Sequence, residues 1–112
     1  MVMKPAFVVL NDNEGRVRFQ LKSSSGEVLF ESKSYRTICA AERAIESVRD
    51  RAENLNNFKQ AEKALVLMGR NGQAIGSCPG MIVSDTPKWH SKFASIAVNA
   101  EFIDTRPNRR YR

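Results

Sequence analysis

Residues 17–32, Val17-Arg18-Phe19-Gln20-Leu21-Lys22-Ser23-Ser24-Ser25-Gly26-Glu27-Val28-Leu29-Phe30-Glu31-Ser32, decide the fold. Val17, Phe19 and Leu21 alternate with Arg18, Gln20 and Lys22, the period of a strand with one face in a core. Ser23-Ser24-Ser25-Gly26 is turn chemistry, and residues 27–32 read as the returning strand. Towards the N-terminus, Asn11-Asp12-Asn13-Glu14-Gly15 is another turn and residues 7–10 an earlier strand. Towards the C-terminus the period changes. Ile38, Ala41, Ile45, Val48 and Ala52 share one helical stripe, Glu42, Arg43, Glu46, Arg49 and Asp50 turn outward, and Thr37 stands where a cap belongs.

The second half repeats the plan. Residues 63–68 read as a strand, Arg70-Asn71-Gly72 as a hairpin turn of the favoured Asn-Gly type, and residues 73–77 as the return. Thr86 before Pro87 opens a helix that carries Trp89, Phe93, Ile96 and Ala100 inward. An offset of 46 pairs Phe19 with Leu65, Leu21 with Leu67, Gly26 with Gly72, Leu29 with Ile75 and Tyr35 with Met81. An offset of 48 pairs Ala41 with Trp89, Ile45 with Phe93, Val48 with Ile96 and Ala52 with Ala100. The change of offset falls in a loop, where insertions cost little. The reading is a duplicated strand-hairpin-helix unit.

These residues carry a family resemblance. Phe7, Val17-Arg18-Phe19-Gln20-Leu21, Ser25-Gly26-Glu27-Val28, Ser32, Tyr35 and Ala44-Ile45-Glu46-Ser47-Val48 resemble the YegP-like domain, a bacterial family of unknown function often present as two tandem copies. The first copy matches over about residues 6–53. The second, about 63–104, keeps Asn71-Gly72 and Asn99-Ala100 but has Cys78 and Met81 where the family pattern has Ser and Tyr. The resemblance implies an α+β fold: a compact antiparallel sheet flanked by two helices, related by pseudo-two-fold symmetry. It implies no activity.

Composition fits one domain over residues 1–105, with 42% hydrophobic and 27% charged residues among 112. No stretch approaches the roughly 20 apolar residues of a membrane-spanning helix, and the apolar run at residues 6–10 is too short for a secretory leader, so a soluble cytoplasmic protein is expected. The net charge of +6 is unevenly spread: residues 1–105 hold 14 Lys or Arg against 12 Asp or Glu, and Arg106, Arg109, Arg110 and Arg112 add four more. That terminus, 106–112, has too few apolar groups to pack and is expected to be a disordered basic tail. Two cysteines 39 positions apart and a single histidine supply neither a disulfide framework nor a structural zinc site. Free, buried thiols and no metal or cofactor are expected.

The one constellation with catalytic potential is Cys78 with His90, oriented by Asp85. Against it, Cys78 corresponds to Ser32, and His90 adjoins an inward-facing Trp89, so a loop thiol and a solvent-facing imidazole are the better reading. Gly69-Arg70-Asn71-Gly72 lacks the spacing of a phosphate-cradling loop. Residues 6–10 and 64–68 are apolar on both faces, which requires either burial of the second face by the other copy, the reading preferred, or an exposed adhesive surface. No enzyme is expected. The chain reads as a monomeric interaction module that binds another protein through a sheet edge or its tail. The alternative is an accessory nucleic-acid binder using Arg16, Arg18 and Lys22 with Arg106, Arg109, Arg110, Tyr111 and Arg112.

Overall fold

A computed structural model of the chain describes residues 4–61, 64–79 and 86–105, without the side chains of residues 79, 86–89 and 91. The alternating stretch forms β2 (Val17–Lys22), flanked in sequence by β1 (Ala6–Asn11) and β3 (Val28–Ser32). Val17, Phe19 and Leu21 are buried and Arg18, Gln20 and Lys22 half-buried, as period two demands. Helix α1 (Ile38–Arg51) starts where Thr37, in extended backbone, accepts a hydrogen bond from the Ala40 amide at 3.1 Å, a cap worth about 1 kcal/mol. Its last turn carries Arg49 and Arg51, the charge sign that suits a helix C-terminus. Arg51 anchors that end, donating from Nε to the Met68 carbonyl at 2.7 Å and from a guanidinium nitrogen to Asn57 Oδ1 at 2.8 Å.

A 3-10 turn at Leu55–Asn57 leads into β4 (Phe58–Gln60), then β5 (Ala64–Met68), β6 (Ala74–Pro79), α2 (Thr86–Asn99) and β7 (Glu101–Asp104). The seven strands among the described residues form one sheet in the order β4-β5-β6-β3-β2-β1-β7. Sequence reading missed β4 and β7. Both are short, and their patterns, Phe-Lys-Gln and Glu-Phe-Ile-Asp, carry too few residues to show a period. The expected antiparallel sheet is in fact mixed, because β7 runs parallel to β1 with Phe7 beside Phe102 and Val8 beside Ile103. Thr105 extends this seam, donating from its amide and its hydroxyl to the Val9 carbonyl at 2.9 and 2.6 Å.

The two central hairpins share one register. Leu21 faces Phe30 and Lys22 faces Val28, with a bulge between them; Leu67 faces Gly76 and Met68 faces Ala74, with a bulge at the same step. The bulges leave Leu29 and Ile75 packed with the core. At the tips, Gly26 and Gly72 take the positive φ of 90° and 79° that their turns require. Between the hairpins β3 meets β6 with Glu31 opposite Ser77. Those residues exchange under the 46-residue offset, so an antiparallel pair at this point is what a two-fold relation between the halves would produce. On the outside, Phe58 of β4 faces Leu67 as Phe7 of β1 faces Leu21, so β4 holds the place in the second half that β1 holds in the first.

Both helices pack on one face. The core is a single cluster in which Phe7, Phe19, Phe30, Leu21, Leu67, Ile45 and Phe93 are at most 1% exposed. Phe93 of α2 reaches Phe30 at 6.0 Å and Phe58 at 5.9 Å between ring centroids, and Phe19 stacks on Phe30 and Tyr35. Ile45 and Phe93 are thus core residues as the offset requires, and Ala41 is fully buried. The side chain of its counterpart Trp89 lies outside the described residues.

Candidate functional site

With the helices on one side, the other side of the sheet faces outward. One row of residues crosses all seven strands there: Ile103, Val8, Gln20, Glu31, Ser77, Val66 and Lys59. Val8, Leu10, Val66 and Met68 stay half-exposed and Ile103 is 42% exposed. The strands that read as apolar on both faces therefore place their second face in this open surface. The two halves extend one sheet side by side and do not stack, which overturns the expectation that one copy buries the second face of the other.

Arg18 and Lys22 stand on the open face. Arg18 lies 3.5 Å from Glu31, a pair whose side chains are 37% and 39% exposed and which is worth at most about 1 kcal/mol. Arg16 belongs not to the strand but to the turn before it, where its amide donates to Asp12 Oδ1 at 2.9 Å. Asp12 organises that turn. Its carboxylate also accepts from the Ser34 hydroxyl at 2.7 Å and the Glu14 amide at 2.9 Å, bonds that hold its pKa below the ordinary value, Ser34 foremost. Arg106, Arg109, Arg110, Tyr111 and Arg112 lie outside the described residues. The aromatic rings described are in the core or, for Phe102, on the helix side of the β7 edge, so no described ring stands on the open face as a stacking platform.

The Cys78 and His90 positions differ from the sequence reading. Cys78 is in β6 rather than a loop, is fully buried, and burial pushes its thiol pKa up to about 12. That is the opposite of an activated thiol. His90 is half-buried rather than solvent-facing, its Nε2 2.6 Å from the Ala52 carbonyl and its ring edge-on to Phe58. Asp85 lies outside the described residues. Cys39, expected to be buried, is exposed in the first turn of α1. Among the described residues no group of three or more His, Cys, Asp or Glu is placed to hold a metal ion, and no described helix is long and apolar enough to cross a membrane.

Two hairpins joined edge to edge in one mixed sheet, with two helices on one face and the other face open, define a class of small α+β protein. A family model described as a domain of unknown function (DUF1508) matches residues 12–57. The chain is 40% identical over 63 residues to UPF0339 protein plu2779 of Photorhabdus laumondii, covering 52% of this chain and 55% of that protein, about half the relative's length. It is 32% identical over 54 residues to UPF0339 protein Atu5359 of Agrobacterium fabrum, covering 48% of this chain and 87% of the relative. The chain belongs to this DUF1508/UPF0339 family, which the YegP-like resemblance anticipated. Its fold is that of yegP from E. coli, described as a protein of unknown function, with a TM-score of 0.82 at 20% identity over 97% of this chain and 99% of that one. UPF0339 protein SO3888 from Shewanella oneidensis follows with a TM-score of 0.78 at 21% identity, covering 93% of each chain.

Proposed function

We propose that the chain is a non-catalytic module that binds another protein through the open face of its sheet, around Val8 and Val66. The observation that carries this reading is the seven-strand row with Val8, Val66 and Ile103 on the side away from both helices. Arg18, Lys22 and Lys59 border these apolar residues, so the partner surface that fits is apolar with a carboxylate rim. Two tandem copies forming one domain over residues 1–105 and a basic tail at 106–112 belong to the same proposal. The matched registers of the two hairpins support the first, and the composition supports the second.

The test is affinity capture with the full chain, nuclease-treated and untreated, beside the variants Val8→Lys and Val66→Glu and a variant with Arg106, Arg109, Arg110 and Arg112 changed to Ser. Protein capture that survives nuclease and is lost in Val66→Glu, with the melting temperature kept, is the expected result. Under the nucleic-acid alternative the four arginines dominate: about four phosphate contacts give a log-affinity against log-salt slope near −3.6 on duplex DNA. A slope of that size, abolished by the Arg-to-Ser variant and untouched by Val66→Glu, replaces the protein-binding reading.

A further inference from the structure

Among the described residues, two grooves on the helix side of the sheet are counterparts. One, about 780 Å³, runs between the β2–β3 turn at Ser23–Ser25 and Lys92, Ser95 and Ile96 of α2, over Leu29. The other, about 390 Å³, runs between the β5–β6 turn at 69–71 and Ala40, Arg43 and Ser47 of α1, over Ile75. Each pairs the turn of one half with the helix of the other, and Leu29 and Ile75 are the two bulge residues.

The chemistry of the pair is not shared. The smaller groove is lined by Lys33, Arg43 and Arg70 with no carboxylate in its lining. At the matching offsets the sequence has Pro79, Ser91 and Ser24, and the larger groove is lined instead by one cation, Lys92, and one carboxylate, Glu27. Similar backbone thus serves with three cations and no carboxylate in one groove and with one cation beside one carboxylate in the other, so the excess of positive charge is not a requirement of the fold. An anion in the groove would offset this excess of positive charge. Arg70 has one carboxylate neighbour, Asp50, at 3.5 Å, with side chains 83% and 67% exposed, a weak contact open to exchange. Lys33 Nζ stands 5.5 Å above the Tyr35 ring, and Asn71 and Ser47 add hydrogen-bonding groups beside an apolar floor of Ala44 and Ile75.

We propose that the smaller groove is a binding site for a small phosphate monoester, held by the guanidinium groups of Arg43 and Arg70 and by Lys33. Arginine forks match phosphate oxygens two at a time, and a groove of 390 Å³ admits a sugar phosphate or a mononucleotide at the small end of ligand-pocket sizes. The apolar floor would take the uncharged part of the molecule. This site is separate from the open face and does not rest on it.

The experiment is an amide-resolved NMR titration of the full chain with inorganic phosphate, glucose 6-phosphate and adenosine monophosphate at constant ionic strength, with chloride as the blank. Saturable shifts confined to residues 69–75, 33–35 and 40–47 are expected, with residues 23–27 still. An ester binding more tightly than inorganic phosphate identifies the monoester as the ligand, and equal affinity overturns that part of the proposal in favour of free phosphate. Arg43→Ser with Arg70→Ser, the residues at the matching offsets, should lower affinity at least about tenfold without shifting the melting temperature. Shifts spread over both turns, shifts confined to residues 106–112, or unchanged affinity in the double variant overturn the site.

Discussion

The β2–β3 and β5–β6 hairpins have the same register, the same bulge and the same turn glycine, yet the residues at matching positions of β3 and β6, the strands that meet in the middle of the sheet, differ sharply. Phe30 in the first half has Gly76 as its counterpart, and Ser32 has Cys78. The first difference is a single packing solution divided between two positions. Two phenylalanines could not both sit there, since even a methyl group on Gly76 would meet the Glu31 carbonyl and stand 2.7 Å from Phe30 Cζ. Two glycines would leave a hole. Where two hairpins of the same register meet edge to edge, matching positions beside the seam cannot both be large, and here they differ in size.

Truncating the large member gives the largest effect. Phe30→Ala should cost about 3–5 kcal/mol, and Phe93→Ala, whose ring rests on Phe30, a similar amount. Ile45→Ala, at the α1 position corresponding to Phe93, should cost about 2–5 kcal/mol, whereas exposed Arg43→Ala should be near zero. Denaturant melts measure all four. An Ile45→Ala cost near that of Arg43→Ala would break the correspondence between the helices.

The small member comes next. Gly76→Ala should cost about 1–3 kcal/mol through overpacking. Because the added methyl meets the Phe30 ring, Phe30→Ala with Gly76→Ala should cost less than the two separate losses together, by at least about 0.5 kcal/mol. Strict additivity would mean that the backbone carbonyl of Glu31 alone sets the glycine requirement.

Much of this architecture was legible because it is written in periods. Alternation at 17–22 and the 3.6-residue stripe from Ile38 to Ala52 each involve enough residues to reveal their partners, and the turn glycines mark the breaks. Phe58–Gln60 and Glu101–Asp104 are strands only because the edges of β5 and β1 are there to pair with, a tertiary cause that leaves no local pattern. The open face misled for a related reason. Apolar residues on both sides of β1 and β5 resemble strands buried twice, and only the side-by-side sheet order shows that one side is left uncovered. The groove cations went unread because Lys33, Arg43 and Arg70 belong to three separate segments, after β3, in α1 and in the β5–β6 turn, and line one groove only in the fold.

The smallest expected effect concerns Ser32 and Cys78, and it is the sharpest test of the pairing of halves. Ser32 Oγ accepts from the Phe19 amide at 2.9 Å and donates to the Lys33 carbonyl at 2.7 Å. Replacing it with Ala orphans a buried amide and should cost about 1–3 kcal/mol. The corresponding groups around Cys78 are the Leu65 amide and the Pro79 carbonyl, and Leu65 is the residue opposite Cys78 in the sheet. If β6 offers the hydroxyl the same bonds as β3, Cys78→Ser should change stability by less than about 1 kcal/mol at neutral pH. Alkaline conditions separate the two residues. Burial raises the Cys78 pKa from 9.0 to about 12, so the neutral thiol's contribution is complete below about pH 9 and is lost as pH rises towards 12. Tyr35, raised from 10.0 to about 12 by burial, adds a loss over the upper part of that window. Cys78→Ser should then melt higher than the parent at pH 10.5 relative to pH 7.5, with the Tyr35 share of the loss retained. At pH 8 a thiol reagent should label exposed Cys39 and leave Cys78 untouched in the folded chain. A Cys78→Ser loss as large as that of Ser32→Ala would show that the two strands, for all their shared register, do not offer the same hydrogen bonds.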